Sequence, residues 1–240
     1  MKLPKRLKWK HVRGLYEILE PTLKASPAKL DSPEPGRVLA LAPHIDDEVI
    51  GCGGTIIKHV RQGDPVTAVY FAGCTPERVK EADEAAKILG IKKKIFFEYE
   101  DKLLHAHPEI SEKLLSVIDD FQPDTVYLPS LFDRHNDHLA VNNHLCAALK
   151  KRKMSFTICA YEVWTPLMPN LAIDISSVMD DKLKAVAAFK SQTAANDWAG
   201  AVEGLNKYRG ITLSCGGYAE AFMRYSAEKY TELWERVFNA

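Results

Sequence analysis

The residues best suited to chemistry fall in two short clusters, Pro43-His44-Ile45-Asp46-Asp47-Glu48 and Asp133-Arg134-His135-Asn136-Asp137-His138. Each follows an apolar run that reads as a buried strand, residues 38–42 and 125–128. A carboxylate pair beside one histidine, and two further histidines three apart, are the donors a catalytic zinc site needs. Such a site takes three N/O protein ligands and leaves a position for water. Parallel strands with their carboxyl ends along one edge would bring the clusters together.

Adjacent carboxylates in a turn point in different directions, so of Asp46 and Asp47 one can hold a metal while the other faces water. The plainer alternative is that Asp46, Asp47 and Glu48 complement a helix N-terminus. Read singly, His135 and His138 are surface histidines; two strand-end clusters with the right donors favour a metal site. His11, His59, His105, His107 and His144 lack such partners and read as solubility or packing residues. Gly51-Cys52-Gly53-Gly54 offers a rival chemistry, a phosphate cradle. It does not match G-x-G-x-x-G, and the preceding acids would repel a pyrophosphate, so its glycines read as letting a helix approach the sheet.

The elements that must position these residues alternate. Apolar runs predict strands at 38–42, 66–72, 95–97, 125–128, 156–164 and 171–175. Helical spacing predicts helices at 53–60, 77–89, 109–121 and 139–150. This is an α/β, Rossmann-like pattern: a mostly parallel sheet with helices on both faces. The C-terminal portion reads as helical, at roughly 176–190, 196–208 and 218–225. Residues 1–36 form a basic arm and Pro-rich linker before a catalytic domain at 37–240. The arm carries Lys2, Lys5, Arg6, Lys8, Lys10 and Arg13, with a short helix expected around 15–23. It reads as a solvated arm, or more sharply as a contact for an anionic surface or a phosphorylated substrate.

Lysine plus arginine equals aspartate plus glutamate at 32 each, so no global field favours nucleic acid. The five cysteines contain no Cys-x-x-Cys pair, which points to reduced thiols and a cytoplasmic location. No apolar stretch has the length of a membrane span, and the N-terminus lacks the apolar core of a signal peptide. Nothing fixes an oligomeric state, and a homo-oligomer is compatible with the chain.

Together the clusters resemble the PIG-L/LmbE-like family of zinc-dependent N-acetylglucosaminyl deacetylases. Ala42-Pro43-His44-Ile45-Asp46-Asp47-Glu48 with Gly51-Cys52-Gly53-Gly54 resembles its first motif, and His135-Asn136-Asp137-His138 its second. Supporting agreement covers Arg78 to Gly90, Asp101, Tyr161-Glu162-Val163-Trp164, Asp174-Ile175, Ser191-Gln192 and Tyr218 to Phe222. The resemblance implies His44, Asp47 and His138 as ligands of one zinc, a set that also suits iron or cobalt. It implies Asp46 as general base and protonated His135 as the group that stabilises the oxyanion and helps the amine leave. Asp137 would orient His135 or His138, and Arg78 and Asp101 would contact the sugar. The family has proline where this chain has Ile45 and Asn136, so looser loops are expected here. The implied reaction is removal of acetyl from an N-acetylglucosamine-type small molecule or glycoconjugate. Its rivals are a zinc amidohydrolase on a different small amide, and a nucleotide- or lipid-associated binding module.

Overall fold

A computed structural model describes residues 26–238; the basic segment 1–13 and the helix expected near 15–23 lie outside the described residues. Its centre is an eight-stranded sheet of order β1-β7-β8-β6-β5-β2-β3-β4. The strands are β1 (Ala28–Leu30), β2 (Val38–His44), β3 (Val66–Ala72), β4 (Lys93–Tyr99), β5 (Thr125–Pro129), β6 (Thr157–Tyr161), β7 (Leu171–Asp174) and β8 (Ala219–Ser226). β2 and β3 are buried at every position. Both faces of a parallel sheet are covered, which is why these strands read as continuous apolar runs. Along β2, Val38, Ala40 and Ala42 enter one core while Leu39 and Leu41 enter the other.

The helices are α1 (Asp47–Arg61), α2 (Pro76–Leu89), α3 (Ile110–Phe121), α4 (Asn136–Lys151), α5 (Met179–Ala187), α6 (Lys190–Thr193), α7 (Trp198–Thr212) and α8 (Ala227–Phe238). One core receives residues of α1, α2, α5 and α7, the other residues of α3, α4 and α8. Strand β2 pairs in parallel with β3 on one side and β5 on the other. The chain therefore reverses its direction of sheet growth between β2 and β5, the switch point where open α/β sheets bind ligands at the strands' carboxyl ends. Both chemical clusters lie there.

Two expectations need correction. Residues 218–225, expected to be helical, form strand β8, antiparallel to both β6 and β7. Ala, Glu and Met favour a helix in isolation, but pairing on both edges and burial of Ala219 to Met223 override that weak preference. The Pro-rich linker also contributes structure: Ala28–Leu30 pairs in parallel with β7 and forms the sheet's edge. Among the described residues, no helix is long and apolar enough to cross a membrane.

Candidate active site

His44 is the last residue of β2, and Asp46 caps α1 with φ 138° and ψ −24°. A non-glycine residue in that region is strained, and such strain gathers at functional turns. The turn sends the two aspartates different ways. Asp47 Oδ2 accepts from the His44 backbone N–H at 2.8 Å and lies 3.2 Å from His44 Nδ1. It also lies 3.2 Å from His138 Nε2, across the switch point. His138 is fully buried, yet neither ring nitrogen has a hydrogen-bond partner. Two ligand atoms each about 2.0–2.1 Å from a tetrahedral zinc stand about 3.3 Å apart. Asp47 Oδ2 has that spacing to both His44 Nδ1 and His138 Nε2, and the unbonded His138 nitrogen is the kind of buried polar atom a metal would satisfy.

The second ring nitrogens face carboxylates, the usual support for histidine ligands. His44 Nε2 lies 3.1 Å from Asp137 Oδ2 and 3.0 Å from Asp101 Oδ1. His138 Nδ1 lies 3.4 Å from Asp133 Oδ2. Asp137, expected beside His135 or His138, thus holds His44 by its side chain, and it also accepts from the Lys102 backbone N–H at 2.7 Å. Asp133 went unassigned although it opens the second cluster. Its carboxylate also accepts from the backbone N–H of His135 at 3.0 Å and of Trp164 at 3.0 Å.

His135 caps α4, its Nδ1 accepting from the Asp137 backbone N–H at 3.3 Å. An accepting Nδ1 leaves the proton of the neutral ring on Nε2. Burial, with repulsion from His138 and His44, lowers the pKa of His135, so the ring is neutral near pH 7. The resemblance implies a protonated His135; burial and its two histidine neighbours favour the neutral ring. The ring nitrogens of His44, His135 and His138 come within 4.8 Å of one another. Asp47, placed between two of them, is nonetheless the third donor with metal-ligand spacing to both.

Electrostatics separates the two aspartates. Burial opposes the Asp47 charge, but His138 and His44 outweigh it and hold its carboxyl well below the usual range. Burial and the neighbouring Asp47 charge push Asp46 well up, against the pull of Arg78. Arg78 Nη2 reaches Asp46 Oδ2 at 3.3 Å and the Ile45 carbonyl at 3.1 Å. Without metal, burial lowers the pKa of His44 while bonds to Asp137 and Asp47 carry it up to about 10. His138 rises to about 9, the Asp47 charge and the Asp133 contact overcoming burial. A cluster that attracts protons this strongly is a cluster built for positive charge.

His44, Asp46, Asp47 and His135 line an open cleft with Arg78 and Asp101. Val163, Trp164, Gln192, Asn196 and Trp198 line the same cleft. Trp164 meets Trp198 edge to face at 5.1 Å and stacks toward His135 at 6.2 Å. Trp164 and Gln192 stand within stretches that resemble the family; Asn196 and Trp198 carry no sequence signal, because the connection from α6 to α7 and the first residue of α7 place them. Ser191, beside Gln192, is tied to α2 by Glu81, which accepts from its N–H at 2.7 Å and its hydroxyl at 2.6 Å. The glycines of α1 serve close packing as expected: a Cβ on Gly51 would lie 2.1 Å from the Tyr161 ring.

Comparison with known proteins bears on the family and the fold. The PIG-L family model, described as GlcNAc-PI de-N-acetylase, matches residues 39–149. The diacetylchitobiose deacetylase of Thermococcus kodakarensis is 29% identical over 192 residues, 68% of this chain and 72% of that protein. The conserved protein TT1542 of Thermus thermophilus superposes with a TM-score of 0.71 at 30% identity, covering 78% of this chain and 94% of that one. N,N'-diacetylchitobiose deacetylase of Pyrococcus horikoshii gives 0.69 at 25% identity, covering 96% and 97%. With both motifs at the carboxyl edge of the same sheet and relatives that are deacetylases, the chain belongs to the PIG-L family and is an N-deacetylase.

Proposed function

We propose that this chain is a zinc-dependent hydrolase that removes the acetyl group from an N-acetylglucosamine-type conjugate. One observation carries the proposal: Asp47 Oδ2 stands 3.2 Å from both His44 Nδ1 and His138 Nε2, and the latter is buried without a hydrogen bond. His44, Asp47 and His138 would hold the ion. When bound, zinc supplies Lewis-acid chemistry, polarising a carbonyl oxygen and making water more acidic.

The remaining steps belong to the protein. Asp46, outside the ligand set and in the cleft, takes the proton of the attacking water. Its raised pKa suits it to hold that proton until the amide nitrogen needs it. His135 donates its Nε2 hydrogen to the carbonyl oxygen as negative charge develops. Proton delivery to the nitrogen then breaks the C–N bond and releases amine and acetate. Asp137 and Asp133 keep the two histidine ligands oriented. Arg78 restrains Asp46 and faces the cleft with Asp101, where both are placed to meet substrate hydroxyls. The relatives from Thermococcus kodakarensis and Pyrococcus horikoshii are diacetylchitobiose deacetylases, which supports an amino-sugar substrate. Residues 37–240 would form the catalytic domain, and five free cysteines suit a reducing cytoplasm.

The test is free-amine release across a panel of N-acetylglucosamine conjugates, with chelated and zinc-reloaded protein. Release from at least one conjugate, lost on chelation and restored by zinc, is expected. No release from any conjugate by loaded protein would reject the substrate class, and equal release without metal would reject zinc.

A further inference from the structure

Beneath the catalytic turn lies a fully buried ion pair that the chemistry above does not use, Lys182 of α5 and Glu220 of β8. It sits where α1 breaks, at Cys52, whose φ of −143° and ψ of 20° are not helical. In an unbroken helix the Gly54 N–H would bond to the Ile50 carbonyl. Instead the Ile50 carbonyl accepts from Lys182 Nζ at 2.9 Å, and the Gly54 N–H donates to Glu220 Oε1 at 2.8 Å. Lys182 Nζ and Glu220 Oε1 are 2.6 Å apart, so the pair is inserted between the two halves of one helical bond. Glu220 Oε2 also takes the Thr55 N–H at 2.8 Å. Asn206 Oδ1 of α7 receives a third ammonium hydrogen at 2.8 Å.

A buried ion pair is a poor device for stability alone, since apolar residues of similar volume often serve as well or better. The location of this one points to another use. On the N-terminal side of the break lies a single turn carrying Asp47 and Glu48, with Asp46 as its cap. On the other side, residues from Gly53 onward pack against the body, Gly54 so close to Ile175 that a Cβ would lie 2.8 Å from it. One turn of helix is too short to set its own direction. The contacts on it include Tyr161 against Gly51, the Tyr70 hydroxyl donating to Glu48 Oε1 at 2.6 Å, and the groups that cap the break.

We propose that Lys182 and Glu220 are positioning residues, holding α1 broken so that Asp47 meets His44 and His138 while Asp46 faces the cleft. The activity readout rests on the deacetylase reading; the other three readouts do not require turnover. Three variants test it: Lys182→Met, Glu220→Gln and the double variant Lys182→Met/Glu220→Met. Thermal melting, zinc affinity by chelator competition, amide exchange at Gly54 and Thr55, and kcat and KM are measured on each. The single variants strand a buried charge and should melt lower; the double variant removes both charges and should recover most of that loss. Its zinc affinity should nevertheless stay weaker by at least about tenfold, the effect of losing support behind a ligand. Its kcat should fall with it while KM changes by less than about threefold. The double variant decides even where a single variant fails to fold. If it regains wild-type melting, zinc affinity and amide protection together, the pair is only structural and the proposal is overturned. If wild-type protein binds zinc but releases no amine, the deacetylase reading fails while affinity and exchange still judge the pair.

Discussion

Asp46 and Asp47 are adjacent, yet only the removal of Asp47 should cost the metal. Asp47 Oδ2 is 3.2 Å from each of two histidine nitrogens, whereas the cation against Asp46 Oδ2 is Arg78 at 3.3 Å. Apparent binding energies of about 10–16 kcal/mol for four-ligand structural zinc sites put one ligand at roughly 2.5–4 kcal/mol. Because about 1.4 kcal/mol is tenfold, Asp47→Ala should weaken zinc binding by on the order of a hundredfold or more. Activity should follow occupancy and return in part at high zinc. Asp46→Asn keeps the side chain's shape and all three donors, so zinc content should match wild type. Its kcat should still drop by about a hundred- to ten-thousand-fold, the contribution of a positioned base. KM should change little, since the lost step is made in the transition state. Elemental analysis after dialysis, chelator competition and steady-state kinetics on both variants make the assay. Should Asp46→Asn shed its zinc while Asp47→Ala retains it, the roles are exchanged; should both stay active, neither carboxylate is catalytic and the mechanism fails.

Asp133→Asn weakens the support behind His138 and should cost about ten- to a hundredfold in zinc affinity without unfolding the protein; wild-type affinity would refute the contact. Trp198→Ala removes one wall of the cleft and should raise KM for a disaccharide-sized conjugate by about three- to tenfold, the worth of an aromatic contact, with kcat unchanged. Unchanged KM would place the substrate elsewhere. Burial holds the pKa of His144 below its unfolded value of 6.5, against its bond to the Leu104 carbonyl. The unfolded chain then takes up the proton first as pH falls, so stability from His144 is full above about pH 6.5 and is lost below it. The stability gap between wild type and His144→Gln, from urea unfolding, should therefore narrow between about pH 7 and about pH 5; a constant gap would count against a neutral buried ring.

Much of this protein was legible because period and punctuation are local. The apolar runs of β2, β3 and β5 are continuous since both sheet faces are covered, and Gly90 ends α2 in the left-handed conformation its position predicts. The candidate metal-site residues stood out because each of their clusters comes soon after a strand, which fixes the edge of the sheet at which it emerges. Helix α1 was harder. Its start at Asp47 was hidden by three glycines that weaken the helical signal, and their value lies in the approach of Tyr161 and Ile175, residues more than a hundred positions away. Strand β8 was misread for the same kind of reason: its neighbours β6 and β7 decide it, not its own composition.

By itself the chain's order of residues determined the α/β class, the two strand-end clusters and the donor types they bring. Those depend on alternation of polarity and on residue chemistry, which need no partner in space. Only the tertiary structure decided which carboxylate supports which histidine. Asp137 turned out to hold His44, 93 residues away, because β2 and β5 are neighbours at the switch point. It also decided the burial that lowers the pKa of His135, the tryptophan wall, and the Lys182–Glu220 insert in α1. Each of these depends on burial and on distances between segments remote in sequence, quantities that exist only once the sheet has closed over its core.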